Sequence, residues 1–157
     1  MQNVATQLDS SALQAIIEGL TQTLSETAVE TMKAQNYHWN VVGMSFGSLH
    51  EMFQEIYEDH FQAQDDLAER IKALDGHAEG RLSVHIERSK IEECDGRIDD
   101  KTMIANLLAD QQTIAGTLSE LAALAAQQGD ALTEDLAIER GRVHEKFAWM
   151  LRAHLKG

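Results

Sequence analysis

Two histidines and two carboxylates are the side chains of this sequence best suited to hold a metal ion. His38 and His50 lie twelve residues apart on either side of a glycine-bearing break, and Asp65 and Glu69 follow further along the chain. Imidazole and carboxylate groups together form a donor set that a borderline metal such as iron accepts. Because Asp65 and Glu69 are four residues apart, a helix would place both on one face, where they can bind or bridge two metal ions.

A single subunit cannot bring these four side chains to one ion. If residues 46–74 form one helix, its rise of about 1.5 Å per residue separates His50 from Asp65 by roughly 22 Å. Two copies of that helix, packed antiparallel about a two-fold axis, would bring the His50 end of one copy to the Asp65 and Glu69 end of the other. The spacing therefore predicts a metal site shared between two subunits.

The elements that position these residues are predicted to be helices. The chain contains no proline, and apolar residues recur at intervals of three and four, the pattern of amphipathic helices. Four long helices are predicted over residues 11–39, 46–74, 101–127 and 131–155, with Ser10 or Ser11 as the cap of the first. Their predicted apolar stripes include Met32, Phe46 and Phe61.

A long connection separates the second predicted helix from the third. It covers residues 75–99, and residues 83–93 within it have enough helical character to form a short helix. Two antiparallel hairpins of helices joined by one long crossover form the ferritin-like four-helix bundle. We therefore expect an all-α protein in which residues 1–157 form a single domain, with residues 1–10 as an N-terminal tail.

The composition excludes several classes of function. With 43 % hydrophobic and 25 % charged residues the chain is of ordinary globular type, and its net charge of −13 favours cations over nucleic acid as partners. Cys94 is the only cysteine, which rules out an internal disulfide and a thiolate zinc site. No apolar segment approaches the roughly 20 residues of a membrane helix, and the N-terminus has no signal-peptide pattern. A cytoplasmic protein with no membrane partner is expected.

Three segments of the sequence match a known family. NYHWNVVGMSFGSLHEMF, residues 36–53, together with DDLAERI, residues 65–71, resembles the Dps proteins, the mini-ferritins of bacteria. The resemblance continues in HEKFAWMLRAHL near the C-terminus and covers nearly the whole chain. It is specific, because both histidines, both carboxylates and every spacing between them agree together.

The resemblance implies a homo-dodecameric hollow shell, built from two-fold dimers, with ferroxidase centres at the two-fold interfaces. His38 and His50 would come from one subunit, and Asp65 and Glu69 from its partner, with Glu69 as the bridging carboxylate of a di-iron centre. Fe(II) would be oxidised there by hydrogen peroxide, or more slowly by O2, and stored as ferric oxyhydroxide. Such a ferroxidase would protect the cell and its DNA during starvation and oxidative stress. Zinc or another divalent metal could occupy the centre in vitro.

Several residues keep two interpretations. Gln54 stands where many members carry Asp four residues after the second histidine, so the second iron is expected to bind more loosely. For Trp39 the resemblance implies an aromatic that intercepts stray oxidising equivalents, and core packing is the alternative. Two groups of acids could contact iron, and each has a simpler alternative. For Glu51, Glu55 and Glu58 along the second helix the alternative is a solvent-exposed face. For Asp130, Glu134 and Asp135 at the start of the fourth helix it is a favourable interaction with the helix dipole.

The remaining histidines and cations give weaker signals. His60, His144 and His154 are predicted to be packing or surface residues, and a secondary metal site at His77 and His85 stays open. Residues 1–32 contain no Lys or Arg, whereas strong DNA binders of the family often carry a lysine-rich tail, so direct DNA binding is not expected. A basic patch of Arg81, Arg88 and Lys90 is the competing possibility and leaves nucleoid association open. A structural helical oligomer with a vestigial or zinc-filled site is a further alternative.

Overall fold

A computed structural model describes residues 7–156, so six residues of the predicted N-terminal tail lie outside the described part. That part forms five helices and no strand: α1 Ser10–Asn40, α2 Phe46–Ala73, α3 Leu82–Arg88, α4 Asp100–Gln128 and α5 Ala131–Leu155. Helix α1 packs along α2, α4 packs along α5, and α1 joins the two pairs through α4. The predicted all-α bundle, with a short helix in the crossover, is confirmed.

Side-chain caps fix where the long helices begin. The carboxylates of Asp9, Asp99 and Asp130 accept backbone N–H bonds from the third residue beyond, at 2.8, 2.8 and 3.1 Å, so each satisfies a donor that the first helical turn leaves without a partner. The prediction of Ser10 or Ser11 as the first cap is wrong, because the Asp9 carboxylate takes that position. Helix α4 ends at Gly129, whose φ of +77° is the left-handed conformation that glycine adopts most easily.

The core consists of two apolar clusters with polar side chains between them. One cluster centres on Ile16, Leu20, Leu67, Ile71 and Ile114, and the other on Tyr37, Phe53, Ile56, Leu107 and Phe147. In sequence order along all four long helices, buried polar residues fall between the two clusters. This mid-bundle polar layer comprises Glu30 of α1, His60 of α2, Gln111 of α4, and Arg140 and His144 of α5.

The crossover is attached to α1 by hydrogen bonds and an ion pair. The Ser25 hydroxyl lies 2.9 Å from His85 Nδ1, Gln22 donates to the Arg88 carbonyl at 2.9 Å, and Arg88 forms an ion pair with Glu18. Helix α3 ends five residues earlier than predicted. The reason is Ser89, whose hydroxyl accepts the Ile91 N–H at 2.8 Å and so offers the backbone an alternative to the helix.

Several apolar side chains lie on the surface of the single chain. Met32, Phe46 and Phe61, which we predicted within apolar stripes, are 51 %, 46 % and 73 % exposed. Large exposed apolar surface often marks a site of association. None of the helices in the described residues combines the length and the apolar character that crossing a membrane requires.

Candidate metal centre

His38 and His50 are held together by two reciprocal hydrogen bonds. Nδ1 of His38 lies 2.6 Å from the His50 carbonyl oxygen, and Nδ1 of His50 lies 2.7 Å from the His38 carbonyl oxygen. Because a carbonyl oxygen can only accept, each Nδ1 carries a hydrogen and donates it. Nε2 is then the nitrogen of each ring that can offer a lone pair to a metal ion.

The helix ends explain why these bonds form. His38 lies in the last turn of α1, where backbone carbonyls have no partner within the helix. The His50 side chain supplies that partner, and it reaches α1 because residues 41–45 turn the chain sharply. Gly43 makes the turn with a φ of +121°, and a Cβ atom there would lie 2.9 Å from Asp100 Oδ2. Glycine is required at this position.

The two imidazole rings are stacked, which decides how they can bind metal. Their centroids are 3.7 Å apart and their planes differ by 15°. A ring-nitrogen lone pair lies in the plane of its ring, so two nearly parallel rings cannot both point at one ion. They can each bind a separate ion of a close pair, and ions in two-metal sites are about 3.5–4 Å apart.

Two aromatic residues enclose the stacked pair. Phe46 lies over His50 with a centroid distance of 5.1 Å, and Tyr57 meets His38 edge-on at 5.3 Å. His38 is 8 % exposed, whereas His50 is half-buried. The rings are therefore fixed in orientation from both sides.

Asp65 and Glu69 lie on the same helix as His50 but far from it. Both are exposed, and neither side chain forms a hydrogen bond or ion pair within residues 7–156. Among those residues of one chain, no three histidine, cysteine, aspartate or glutamate side chains lie close enough to hold one ion. A single chain thus brings the two histidines together and leaves the two carboxylates apart from them.

The residue after Glu69 anchors that end of α2. Arg70 donates to Asp130 and to the Thr133 hydroxyl, both at 2.9 Å. Asp130 is 1 % exposed and also caps α5, so its carboxylate holds the start of that helix and does not face solvent in the single chain. Asp135, five residues on, is exposed.

Trp39 does not pack in the core of its own subunit. It is 60 % exposed and lines a surface cavity of about 460 Å³ together with Met32, Leu82, Ile86 and Cys94. The core-packing alternative for Trp39 is therefore wrong. Neither His38 nor His50 lines this cavity.

The other acids and histidines are placed as follows. Gln54, one turn after His50, donates to Glu58 at 2.8 Å, and Glu51, Glu55 and Glu58 are all exposed. His85 is buried against Ser25, so its Nδ1 already has a partner, while His77 is exposed.

Sequence reasoning missed the mid-bundle polar layer, in which His60 and His144 take part in hydrogen bonds rather than plain packing. A signal was present. His60 continues the apolar spacing of Ile56, Ala63 and Leu67 on α2, and Gln111 does the same between Leu107 and Ile114 on α4. A polar residue on a core-facing stripe needs a buried partner.

Comparisons with known proteins agree with this architecture. Residues 17–157 match the ferritin-like domain family. The DNA protection during starvation protein of Helicobacter pylori is 35 % identical over 132 residues, which cover 83 % of this chain and 92 % of the relative. The crystal structure of a Dps protein from Vibrio cholerae, described as a member of a broad superfamily of ferritin-like diiron-carboxylate proteins, superposes with a TM-score of 0.90 at 32 % identity and covers 95 % of this chain and 94 % of that one. Dps from Staphylococcus aureus gives a TM-score of 0.89 at 32 % identity over 92 % and 97 %. The chain belongs to the ferritin-like family and, within it, to the Dps proteins.

Proposed function

We propose that this protein is a ferroxidase and iron store, which oxidises Fe(II) with hydrogen peroxide, or more slowly with O2, at a centre shared by two subunits. The observation that supports this most directly is the state of the histidine pair. Both Nδ1 atoms are engaged by backbone carbonyls, so two Nε2 lone pairs are free on adjacent stacked rings. This is how metal-binding histidines are commonly oriented.

The substrates are Fe(II) and peroxide, and the reaction balances without a further reductant. Two Fe(II) ions, one H2O2 and two water molecules give two FeO(OH) and four protons. The protein's contribution is to bind the two ions side by side. His38 and His50 would each hold one ion, and Asp65 and Glu69 of the partner subunit would complete the centre, with Glu69 bridging.

Assembly into two-fold dimers, and from these into a dodecamer, is part of the proposal. Antiparallel pairing of α2 would bring His50 to the carboxylates of the partner, and it would cover Phe61, which lies between the two half-sites and is 73 % exposed. Phe46, beside His50, would be covered as well. The partner would thus bury apolar surface and supply the missing ligands together.

Protection of DNA would follow from removing Fe(II) and peroxide in the cytoplasm. The H. pylori relative is named for DNA protection during starvation, and that role does not require contact with DNA. Here Arg81 is paired with Glu79 and Arg88 with Glu18, so two of the three cations of the crossover patch are already neutralised by neighbouring acids.

The proposed centre is tested by removing its carboxylates. We expect the Asp65→Ala, Glu69→Ala double variant to assemble normally, because both side chains are exposed in the single chain and do not belong to its core. Its rate of Fe(II) oxidation should fall by about tenfold or more, because loss of even an outer partner of a metal ligand typically costs roughly 10- to 100-fold in metal affinity or activity. Ferric absorbance after peroxide addition is the measurement. The matched control is Asp66→Ala, Glu120→Ala, and full activity in the first variant would end the proposed site.

A further inference from the structure

Five side chains in and beside the mid-bundle polar layer form a closed ring of hydrogen bonds that the candidate metal centre does not use. Asp59 and His60 come from α2, Gln111 from α4, and Arg140 and His144 from α5. All but Asp59 are buried, and the Asp59 side chain is 27 % exposed. The ring thus ties together three of the four long helices.

The hydrogens in the ring can be assigned step by step. Asp59 Oδ2 only accepts, so His60 Nδ1, at 2.8 Å, carries a hydrogen. His60 Nε2 then accepts from the Gln111 amide nitrogen at 2.9 Å. The amide oxygen of Gln111 must therefore accept from His144 Nδ1, at 2.6 Å.

The assignment leaves His144 Nε2 with a lone pair. That lone pair faces Arg140 Nη2 at 3.2 Å, and Arg140 donates to it. Burial lowers the pKa of both His60 and His144 below the usual value, in agreement with two neutral rings. Every hydrogen bond in the five-residue ring then has one donor and one acceptor.

Arg140 Nη2 occupies a position at which two potential metal ligands converge. It lies 2.7 Å from Asp59 Oδ2 as well as 3.2 Å from the His144 lone pair. Both potential ligands have the outer hydrogen-bond partners that metal ligands usually have. His60 donates to the Asp59 carboxylate, and Gln111 accepts from the other nitrogen of His144. Ferritin-like bundles build their metal sites in the core from side chains on facing helices.

We propose that the Arg140 guanidinium occupies a preformed divalent-metal position in the bundle core and keeps metal ions out of it. Its charge is permanent and is held by a two-pronged contact with Asp59, at 3.1 and 2.7 Å. An incoming cation would have to displace a buried cation that has its counter-ion already in place. Arg140 is in this sense a specificity-determining residue, which confines metal binding to the subunit interface.

This role rests on the proposed function only in naming iron as the metal to be kept out, and the test separates the two. The probe is Co²⁺, which gives visible absorption when nitrogen and oxygen ligands surround it at low coordination number. All variants are made in the His38→Ala, His50→Ala, Asp65→Ala, Glu69→Ala background, so that the interface centre does not contribute. We expect Arg140→Ala to bind one additional Co²⁺ per subunit, and the unmodified background to bind none in the core.

Two matched variants locate the extra ion. Arg140→Lys keeps the positive charge and should bind no additional Co²⁺. Adding His144→Phe to Arg140→Ala removes the converging lone pair and should abolish the additional site.

Three results would overturn the proposal. The first is a folded Arg140→Ala protein that binds no additional Co²⁺. The second is Co²⁺ binding that depends on His144 in the background protein, which retains Arg140. The third applies if Arg140→Ala does not fold without metal. Arg140→Met, which keeps most of the side-chain volume, is then tested beside it. The proposal fails if Co²⁺ neither binds to nor restores the fold of either variant.

Discussion

At the scale of single residues, two backbone carbonyls determine what His38 and His50 can do. Each carbonyl oxygen accepts a hydrogen bond from Nδ1 of the other residue, so the tautomer of both imidazoles is set before any metal binds. The four candidate ligands follow from residue type and spacing, and their role as ligands stays a prediction. The reciprocal bonds were not, because they depend on how the last carbonyls of α1 meet the first turns of α2 in space.

Gln54 provides a prediction at the same scale. Gln54→Asp should tighten Fe(II) binding at the weaker position, because it adds an anionic oxygen one helical turn from His50. The variant also loses the hydrogen bond from Gln54 to Glu58 and places two acids four residues apart, which opposes helix stability by about 0.2–0.5 kcal/mol.

Anaerobic Fe(II) titration per centre measures the effect. Gln112→Asp is the control, since it adds the same charge at an exposed position of α4. An unchanged titration for Gln54→Asp would mean that this side chain faces away from the bound ions.

At the scale of elements, the hydrogen-bonded ring joins α2, α4 and α5 and makes their packing sensitive to pH. His60 and His144 have folded-state pKa values below the usual 6.5, chiefly through burial. The unfolded chain therefore binds more protons than the folded chain below pH 6.5. Stability should be fully present above that pH and should fall as the pH decreases, by up to about 1.4 kcal/mol per pH unit for each histidine.

Asp59 extends this loss to lower pH. Partial burial acts to raise its pKa, but hydrogen bonds from His60 and Arg140 outweigh burial and hold it below the usual value. Its contribution is present above about pH 4 and disappears as the carboxylate is protonated.

Urea unfolding of the protein between pH 7.5 and pH 5 measures the predicted slope. His154→Asn, which removes an exposed histidine, should keep that slope, and His144→Phe should make it shallower. If the stability of the wild-type protein does not change over this range, His60 and His144 are not held neutral in the folded protein.

The four long helices were predictable to within one residue at either end, and the reason lies in local signals. Apolar spacing marked their faces, and Asp99, Gly129 and Asp130, which lie at helix ends in the structure, are residue types typical of such ends. Helix α3 was predicted too long because a single Ser89 side chain diverts its last turn. The buried ring escaped prediction because its partners come from three helices, and only their packing shows which polar residues meet. The assignment of residues 1–157 to one domain stays a prediction.

At the scale of the whole molecule, charge governs the partners. A dodecamer would carry a formal charge of about −156, twelve times the −13 of one chain. We therefore expect no binding to duplex DNA at about 0.15 M salt and neutral pH, since affinity for DNA depends on cations that displace its counter-ions. The paired state of Arg81 and Arg88 strengthens that expectation.

A mobility-shift titration across salt concentrations tests it. A retarded complex that persists at 0.15 M salt would refute the prediction. Its loss in an Arg81→Ala, Arg88→Ala, Lys90→Ala variant would then identify the crossover patch as the cause.

The sharing of the centre between subunits is the central claim, and co-assembly tests it most directly. One variant carries His38→Ala and His50→Ala, the other carries Asp65→Ala and Glu69→Ala, and each alone should be inactive. After equal mixing and random assembly, half of the two-fold interfaces are mixed, and each of these holds one intact centre out of two. Ferroxidase activity should return to about one quarter of the wild-type value, in shells whose mixed composition is verified by mass spectrometry.

A second mixture makes the result unambiguous. Wild-type chains mixed equally with the variant that lacks all four ligands should show about one quarter of wild-type activity if the centre is shared, and about one half if it lies within one chain. Recovery to one quarter in the first mixture, with one quarter in the second, is the predicted outcome. No recovery in the first mixture, with one half in the second, would contradict a centre shared between subunits.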